Sequence, residues 1–274
     1  ARIPLSPSQR RMWFINQMDT AATTYNVPLP LRLRGNVDPE NVRAAVLDVI
    51  GRHEVLRTVY PSDATGPQQR VLDVDAAAAA FDWLMADIRG QLIDLAGRGF
   101  DVADQLPIRG GLHATADGVD VVVVVHHIAF DGESMRVFVT DLVTAYIARA
   151  AGTQPDSAPL PVQYVDYTLW QERELGSAAD PETPLGRQRE YWLARLAELP
   201  AVTDLPMDRP RPAVLDPAAA VVTVEVDRDI AAAVAELAAA QGVTNFMVFH
   251  AALAVTVARL AAVDDVVIGA PIAG

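Results

Sequence analysis

The chain contains no cysteine. That excludes disulfides, thiolate metal sites and a cysteine nucleophile, and it is compatible with the cytoplasm, the location expected here. Positive charge is also scarce: 22 Lys and Arg against 35 Asp and Glu leave a formal net charge of −13. So acidic a chain argues against nucleic acid and against a membrane as main partners. No apolar stretch reaches membrane-spanning length before a charge interrupts it. Ala1-Arg2-Ile3-Pro4 shows no signal-peptide pattern, so no secretory leader is expected. Internal repeats are lacking, and the alanine tract at 76–80 is too short to count as low complexity. What is present is 274 residues, 51% hydrophobic, which fits one large or two medium domains.

The most informative stretch is His126-His127-Ile128-Ala129-Phe130-Asp131-Gly132, which follows five consecutive valines, Val121 to Val125. Such a valine run reads as a strand buried on both faces. It delivers two imidazoles, a carboxylate and a glycine to a turn. Adjacent residues on a strand point to opposite faces, so one histidine can face a cleft while the other faces the packing. A metal site is disfavoured: the adjacent histidines diverge, cysteine is absent and no H-x-x-x-H pair occurs. Proton transfer or polar positioning at one histidine is the favoured chemistry.

Local signals organise the rest. Ser6-Pro7-Ser8-Gln9 reads as a capping box opening a helix to about residue 17. A strand is expected at 29–33. Asp38-Pro39-Glu40 opens a second helix with Val42, Ala45, Val46, Val49 and Ile50 on one face. A strand is expected at 55–60 and helix at 81–95. Segments 108–115 and 119–127 form a hairpin about Asp117-Gly118. Ser134 is expected to cap a helix to about residue 150, ended by Gly152. A linker rich in Pro, Ser and Asp spans 153–161, helices follow at 163–175 and 185–199, and a connector at 205–217 carries four prolines. A strand at 221–226, helices at 230–241 and 245–260 separated by Gly242 and Thr244, and a short strand at 266–268 complete the reading.

Four segments, in order, resemble the condensation domain of nonribosomal peptide synthetases. They are Leu5 to Phe14 (LSPSQRRMWF), Arg52 to Tyr60 (RHEVLRTVY), His126 to Gly132 with Ser134, and Tyr164 to Trp170 (YVDYTLW). Ile268-Gly269-Ala270-Pro271 resembles the approach to a fifth. The resemblance implies an α/β fold: a chloramphenicol-acetyltransferase-like lobe, with a mixed sheet flanked by helices, plus the first part of a second similar lobe. The domains expected are an N-terminal lobe at 1–175, a helical and proline-rich connector at 176–217 and an incomplete second lobe at 218–274. The implied reaction is amide-bond formation between two thioester-linked groups on the 4′-phosphopantetheine arms of carrier proteins, meeting in a tunnel between lobes. It belongs to antibiotic-type biosynthesis. The implied partners are donor and acceptor peptidyl carrier proteins and an adjacent adenylation domain, with no cofactor and no metal held by the domain itself. No acyl-enzyme is needed, in agreement with the lack of a G-x-S-x-G elbow.

By the same resemblance His127 is the reactive position, as base or as positioner of the amine, and His126 is structural. Asp131 is an organiser expected to pair with Arg57. Gly132 permits close approach of substrate, and the helix beginning near Ser134 aims its N-terminus at the thioester carbonyl. Arg10-Arg11 with Tyr25 to Pro28, and Pro184 to Gln188 before Tyr191-Trp192, resemble domains that join a D-configured donor to an L-acceptor. Phe130 and Glu133 depart from the small residue and tryptophan often found there, so both are expected to bear on substrate fit. Trp13, Trp170 and Trp192 are expected to be core anchors. The alternatives are an acyl-CoA-dependent acyltransferase of the same superfamily, and a non-catalytic module that docks carrier proteins.

Overall fold

The structure is a computed structural model that describes residues 2–199, 203–210, 213 and 220–270. The chain divides into two compact units, 2–189 and 190–270.

The first unit is built on a four-stranded mixed sheet. Its strands are β1 (Asn26–Arg34), β2 (Asp82–Ala86), β3 (Ile108–Thr115) and β4 (Gly118–His126), in spatial order β1-β4-β3-β2. β4 pairs antiparallel with β1 (Asn26 opposite His126) and with β3 (Ile108 opposite Val125), while β2 runs parallel to β3. The valine run sits in the interior strand, and Val121 to Val125 are all buried. Branched side chains covered on both sides explain the unbroken apolar run. Pro28 and Pro30 lack the N–H a ladder requires, which suits β1 to the sheet edge it occupies. The β3–β4 hairpin turns through Gly118, whose φ of +151° and contact with the Leu33 carbonyl admit no side chain.

Helices α1 (Pro7–Met18), α2 (Pro39–Arg52), α3 (Val74–Ala80), α4 (Arg89–Ala96), α5 (Gly132–Ala150) and α6 (Tyr164–Leu175) complete this unit. The division between units falls within α7 (Pro184–Arg195). Ser6 caps α1 as the sequence indicates, its Oγ accepting the Gln9 N–H at 3.1 Å while Gln9 Oε1 accepts the Ser6 N–H at 3.0 Å. Asp38 caps α2, whose Val42, Ala45, Val46, Val49 and Ile50 are buried as one stripe. Phe138, Leu142 and Ala145 of α5 belong to the same core.

Several expectations are corrected. The segment at 81–95 is not one helix. β2 and α4 share it, because Asp82 to Ala86 finds an open edge on β3, and tertiary pairing outweighs local propensity. Residues Glu54–Arg57 form a 3₁₀ turn, and only Thr58–Val59 are extended there. The alanine tract is helical, within α3.

The second unit holds α8 (Arg228–Gln241) and α9 (Asn245–Ala261). Gly242 ends α8 in the left-handed conformation at φ 66°, and Thr244 caps α9 through the Met247 N–H at 3.3 Å. The strands expected at 221–226 and 266–268 do not form among the described residues: Val221 is 92% and Val224 77% exposed. An alternating segment becomes a strand only when a neighbour takes up its backbone groups, and no described segment does. Pro212 and Pro217 of the connector, and Pro271, lie outside the described residues.

Candidate functional site

The end of β4 separates the two histidines. His126 is buried, at 2% exposure, whereas His127 is exposed. Backbone bonds lock both positions: the His126 N–H donates to Pro107 O at 2.8 Å, and the His127 N–H donates to Tyr25 O at 2.8 Å. The His126 ring packs between Phe100, edge-on at 5.8 Å, and Tyr25 at 6.2 Å. Its Nδ1 accepts the Ile128 N–H at 3.1 Å, and the Ala129 N–H returns to His126 O at 3.0 Å, closing the turn. Burial, then the neighbouring His127 and Arg109, lower the His126 pKa to about 4. It is therefore neutral near pH 7, an Nε2–H imidazole that serves the turn. The Tyr25 ring stands at right angles to His127, 6.3 Å away.

Asp131 is the N-cap of α5. Its Oδ1 accepts the Ser134 N–H at 2.9 Å and the Ser134 hydroxyl at 2.6 Å, and the Asp131 N–H donates to Ser134 Oγ at 3.1 Å. Burial opposes its ionisation, but the Ser134 bonds and the neighbouring His127 hold its carboxyl below the usual carboxylate range. Ser134 is thus the third helical residue and not the cap. The expected Arg57–Asp131 pair is absent. Arg57 instead donates to Glu54 Oε1 at 3.2 Å and to the Leu72 carbonyl, because the 3₁₀ turn at Glu54–Arg57 draws its side chain toward that segment. Asp131 occupies the N-terminus of α5, with Glu133 in its first turn.

Gly132, the first residue of α5, has open space wherever a Cβ would lie. Its backbone does not demand glycine, and a side chain there would meet nothing within 4 Å. Phe130, expected to flank a substrate, is buried and packs edge-on against Phe138 at 5.8 Å. Glu133 is exposed. Beneath the loop lies a mainly apolar cavity of about 290 Å³ bounded by Val55, Leu56, Phe130, Val137 and Phe138, with His53 at its wall. His53 Nε2 meets Asp141 at 2.6 Å, and Arg52 donates to the same carboxylate at 3.0 Å.

A buried polar network joins the flanking segments. Ser6 Oγ meets the Tyr164 hydroxyl at 3.0 Å. Gln9 Nε2 reaches Tyr60 at 3.3 Å and Gln69 at 3.4 Å, and Gln69 reaches Thr168 at 3.2 Å. The first, second and fourth segments singled out in the sequence thus meet in one set of hydrogen bonds. Burial raises the Tyr164 pKa, against the hydrogen bond with Ser6, which lowers it. Trp13 is an anchor as expected, donating to Tyr60 O at 2.8 Å. Trp170 and Trp192 are not, at 50% and 55% exposure. Sequence reasoning missed Phe100 and Arg109, and singled out Tyr25 only for its bearing on donor configuration. Only Arg109, a charge inside an apolar strand, left a signal. No group of His, Asp and Glu among the described residues is arranged to hold a metal.

Comparison with known proteins places this geometry. The family model described as Condensation domain matches residues 1–274. The chain is 46% identical over 274 residues to a protein of Salinispora arenicola described as "Probable non-canonical nonribosomal peptide synthetase (NRPS) CymA", covering 99% of this chain and 4% of the relative. It is 43% identical over 281 residues to the isonitrile lipopeptide synthase of Mycobacterium tuberculosis, covering 100% of this chain and 11% of the relative. Among solved structures, the X-domain from teicoplanin biosynthesis superposes with a TM-score of 0.82 at 34% identity, covering 94% of this chain and 57% of that one. The chain therefore spans a small part of much larger synthetases, and its fold is the chloramphenicol-acetyltransferase-like α/β fold of their condensation domains. With its histidine pair parted by the end of β4, its aspartate capping α5 and its flanking segments tied into one polar network, this chain belongs to the condensation domain family.

Proposed function

We propose that this domain forms an amide bond between a donor aminoacyl or peptidyl thioester and the amine of an acceptor aminoacyl thioester. Each substrate is carried on the 4′-phosphopantetheine arm of a peptidyl carrier protein, with an adenylation domain loading the acceptor. The observation that carries the reading is the division of labour at β4: His126 and Asp131 are committed to the turn and the helix cap, while His127 alone of the three is exposed. A neutral imidazole can receive a proton from an attacking amine. The acceptor nitrogen attacks the thioester carbon, the C–N bond forms and the C–S bond breaks. The amine's proton passes to His127 and on to the departing thiolate. Gly132 leaves the space in which the reacting carbonyl approaches. The segment from 218 onward is read as part of a second lobe, and the arginine pair Arg10-Arg11 with Tyr25 to Pro28 favours a D-donor.

A second reading has one observation behind it: the similar X-domain has been solved in complex with OxyB, another protein of teicoplanin biosynthesis. A domain of this fold can thus serve as a docking surface. The two readings are separated by mass spectrometry of products from donor- and acceptor-loaded carrier proteins, using the chain alone, the chain extended through a second lobe, and the extended chain with His127→Ala. Amide product that depends on His127 supports condensation. Carrier-protein binding without product from any form supports docking, and acyl transfer from CoA in its place supports the soluble acyltransferase.

A further inference from the structure

Arg109 is the second residue of β3, opposite Val124 in the ladder and so on the same sheet face as His126, two residues further along. It is 5% exposed and, among the described residues, no carboxylate lies within ion-pair distance of it. Its Nε is buried without a partner, and one Nη donates to Gly99 O. The guanidinium carbon lies 3.5 Å from the centroid of the Phe100 ring, and the edge contact of that ring with His126 follows directly behind. The Phe100 segment is itself pinned to α1: Asn16 donates to Phe100 O at 2.8 Å and accepts the Val102 N–H at 3.3 Å. A buried cation without a counter-ion is unfavourable, and its stacking on an aromatic face offsets only part of that. Phe100 in turn sits against the imidazole whose acceptor nitrogen holds the reactive turn closed.

We propose that Arg109 is a positioning residue of this site: stacked on Phe100, it adds to the burial that keeps His126 neutral, so that Nδ1 receives the Ile128 N–H and the turn presents His127. Protonation of His126 would place a hydrogen on Nδ1 and eject the Ile128 N–H. Burial of the ring works most against this, followed by the neighbouring His127 and by Arg109 from β3, with uncharged Tyr25 and Phe100 covering the ring. Arg109 stays cationic at neutral pH. Burial and nearby Arg98 lower it to about 10, with Asp82 opposing them. The proposal rests on His127 being the reactive histidine; its effect on His126 does not.

The test is NMR of the chain with ¹³C,¹⁵N-histidine, in the wild type, Arg109→Met, Arg109→Gln and Arg109→Lys. The wild type should show His126 as the Nε2–H tautomer at neutral pH. The two neutral variants should raise the proton affinity of His126 severalfold, less than the burial of its ring lowers it, and lysine should restore most of the wild-type value. The pH profile of amide formation should show its acid limb moved upward in the neutral variants and restored by lysine, a readout that simple loss of packing would not move in that pattern. An Nδ1–H tautomer in the wild type, or an unchanged His126 titration in a folded neutral variant, overturns the proposal. The tautomer measurement needs no variant to fold. Absence of amide product from the wild type would instead sink the functional reading and leave the NMR result standing.

Discussion

Removing Arg57 and Asp131 together tests the correction made at the motif loop. Asp131→Ala deletes the cap of α5, the 2.9 Å bond to the Ser134 N–H and the 2.6 Å bond to its hydroxyl; loss of such a cap costs about 1 kcal/mol, up to about 2. Arg57→Ala deletes the charge-assisted bond to the Leu72 carbonyl, about 1.5–3 kcal/mol, and a partly exposed pair with Glu54 that adds at most about 1. The two residues share no partner, so the double variant should lose the sum of the two within about 0.5 kcal/mol. A buried Arg57–Asp131 ion pair would behave otherwise: each single change would cost about 3–5 kcal/mol by stranding the other charge, and the second change would then be nearly free. The assay is amide hydrogen exchange of residues 121–125 in the buried strand, which reports the opening free energy of the first unit. A coupling of more than about 1 kcal/mol between the two changes refutes the assignment of Asp131 to the cap alone.

Stability should fall as pH drops from about 6.5 toward 4, because the unfolded chain protonates His126 in that window while the folded chain does not. A displacement from 6.5 to about 4 corresponds to about 3 kcal/mol at most. His126→Asn keeps an acceptor for the Ile128 N–H and cannot titrate, so its urea midpoint should depend less steeply on pH; parallel pH curves would contradict this. Gly132→Ala should leave the thermal midpoint unchanged or raise stability by about 0.4–1 kcal/mol, since nothing lies within 4 Å of the new methyl group, while amide formation falls. A drop in midpoint would show that the space is not open. Gly118→Ala should behave oppositely and unfold readily, because its Cβ would lie 2.0 Å from Leu33 O at a φ of +151°; circular dichroism of a normally folded variant would count against the hairpin geometry.

Local and periodic signals were legible in the sequence. The Ser6–Gln9 capping box, the Asp38 cap, the α2 stripe, the β3–β4 hairpin and the helix running from the histidine motif toward Gly152 all depend on neighbours within a few residues, where side-chain type dictates backbone geometry directly. So did the divergence of His126 and His127, which follows from the two-residue period of a strand. Elements defined by distant partners were not legible. β2 exists because β3 offers an edge, and the alternation at 221–226 forms no strand because no described neighbour completes it. The same holds at the site. That Asp131 pairs with Ser134 and not Arg57, that Phe130 turns inward onto Phe138, and that Arg109 reaches His126 through Phe100 were decided by three-dimensional packing alone. Sequence names the groups that can carry a proton; only tertiary contact determines which of them is buried, which is spent on structure and which is left free to react.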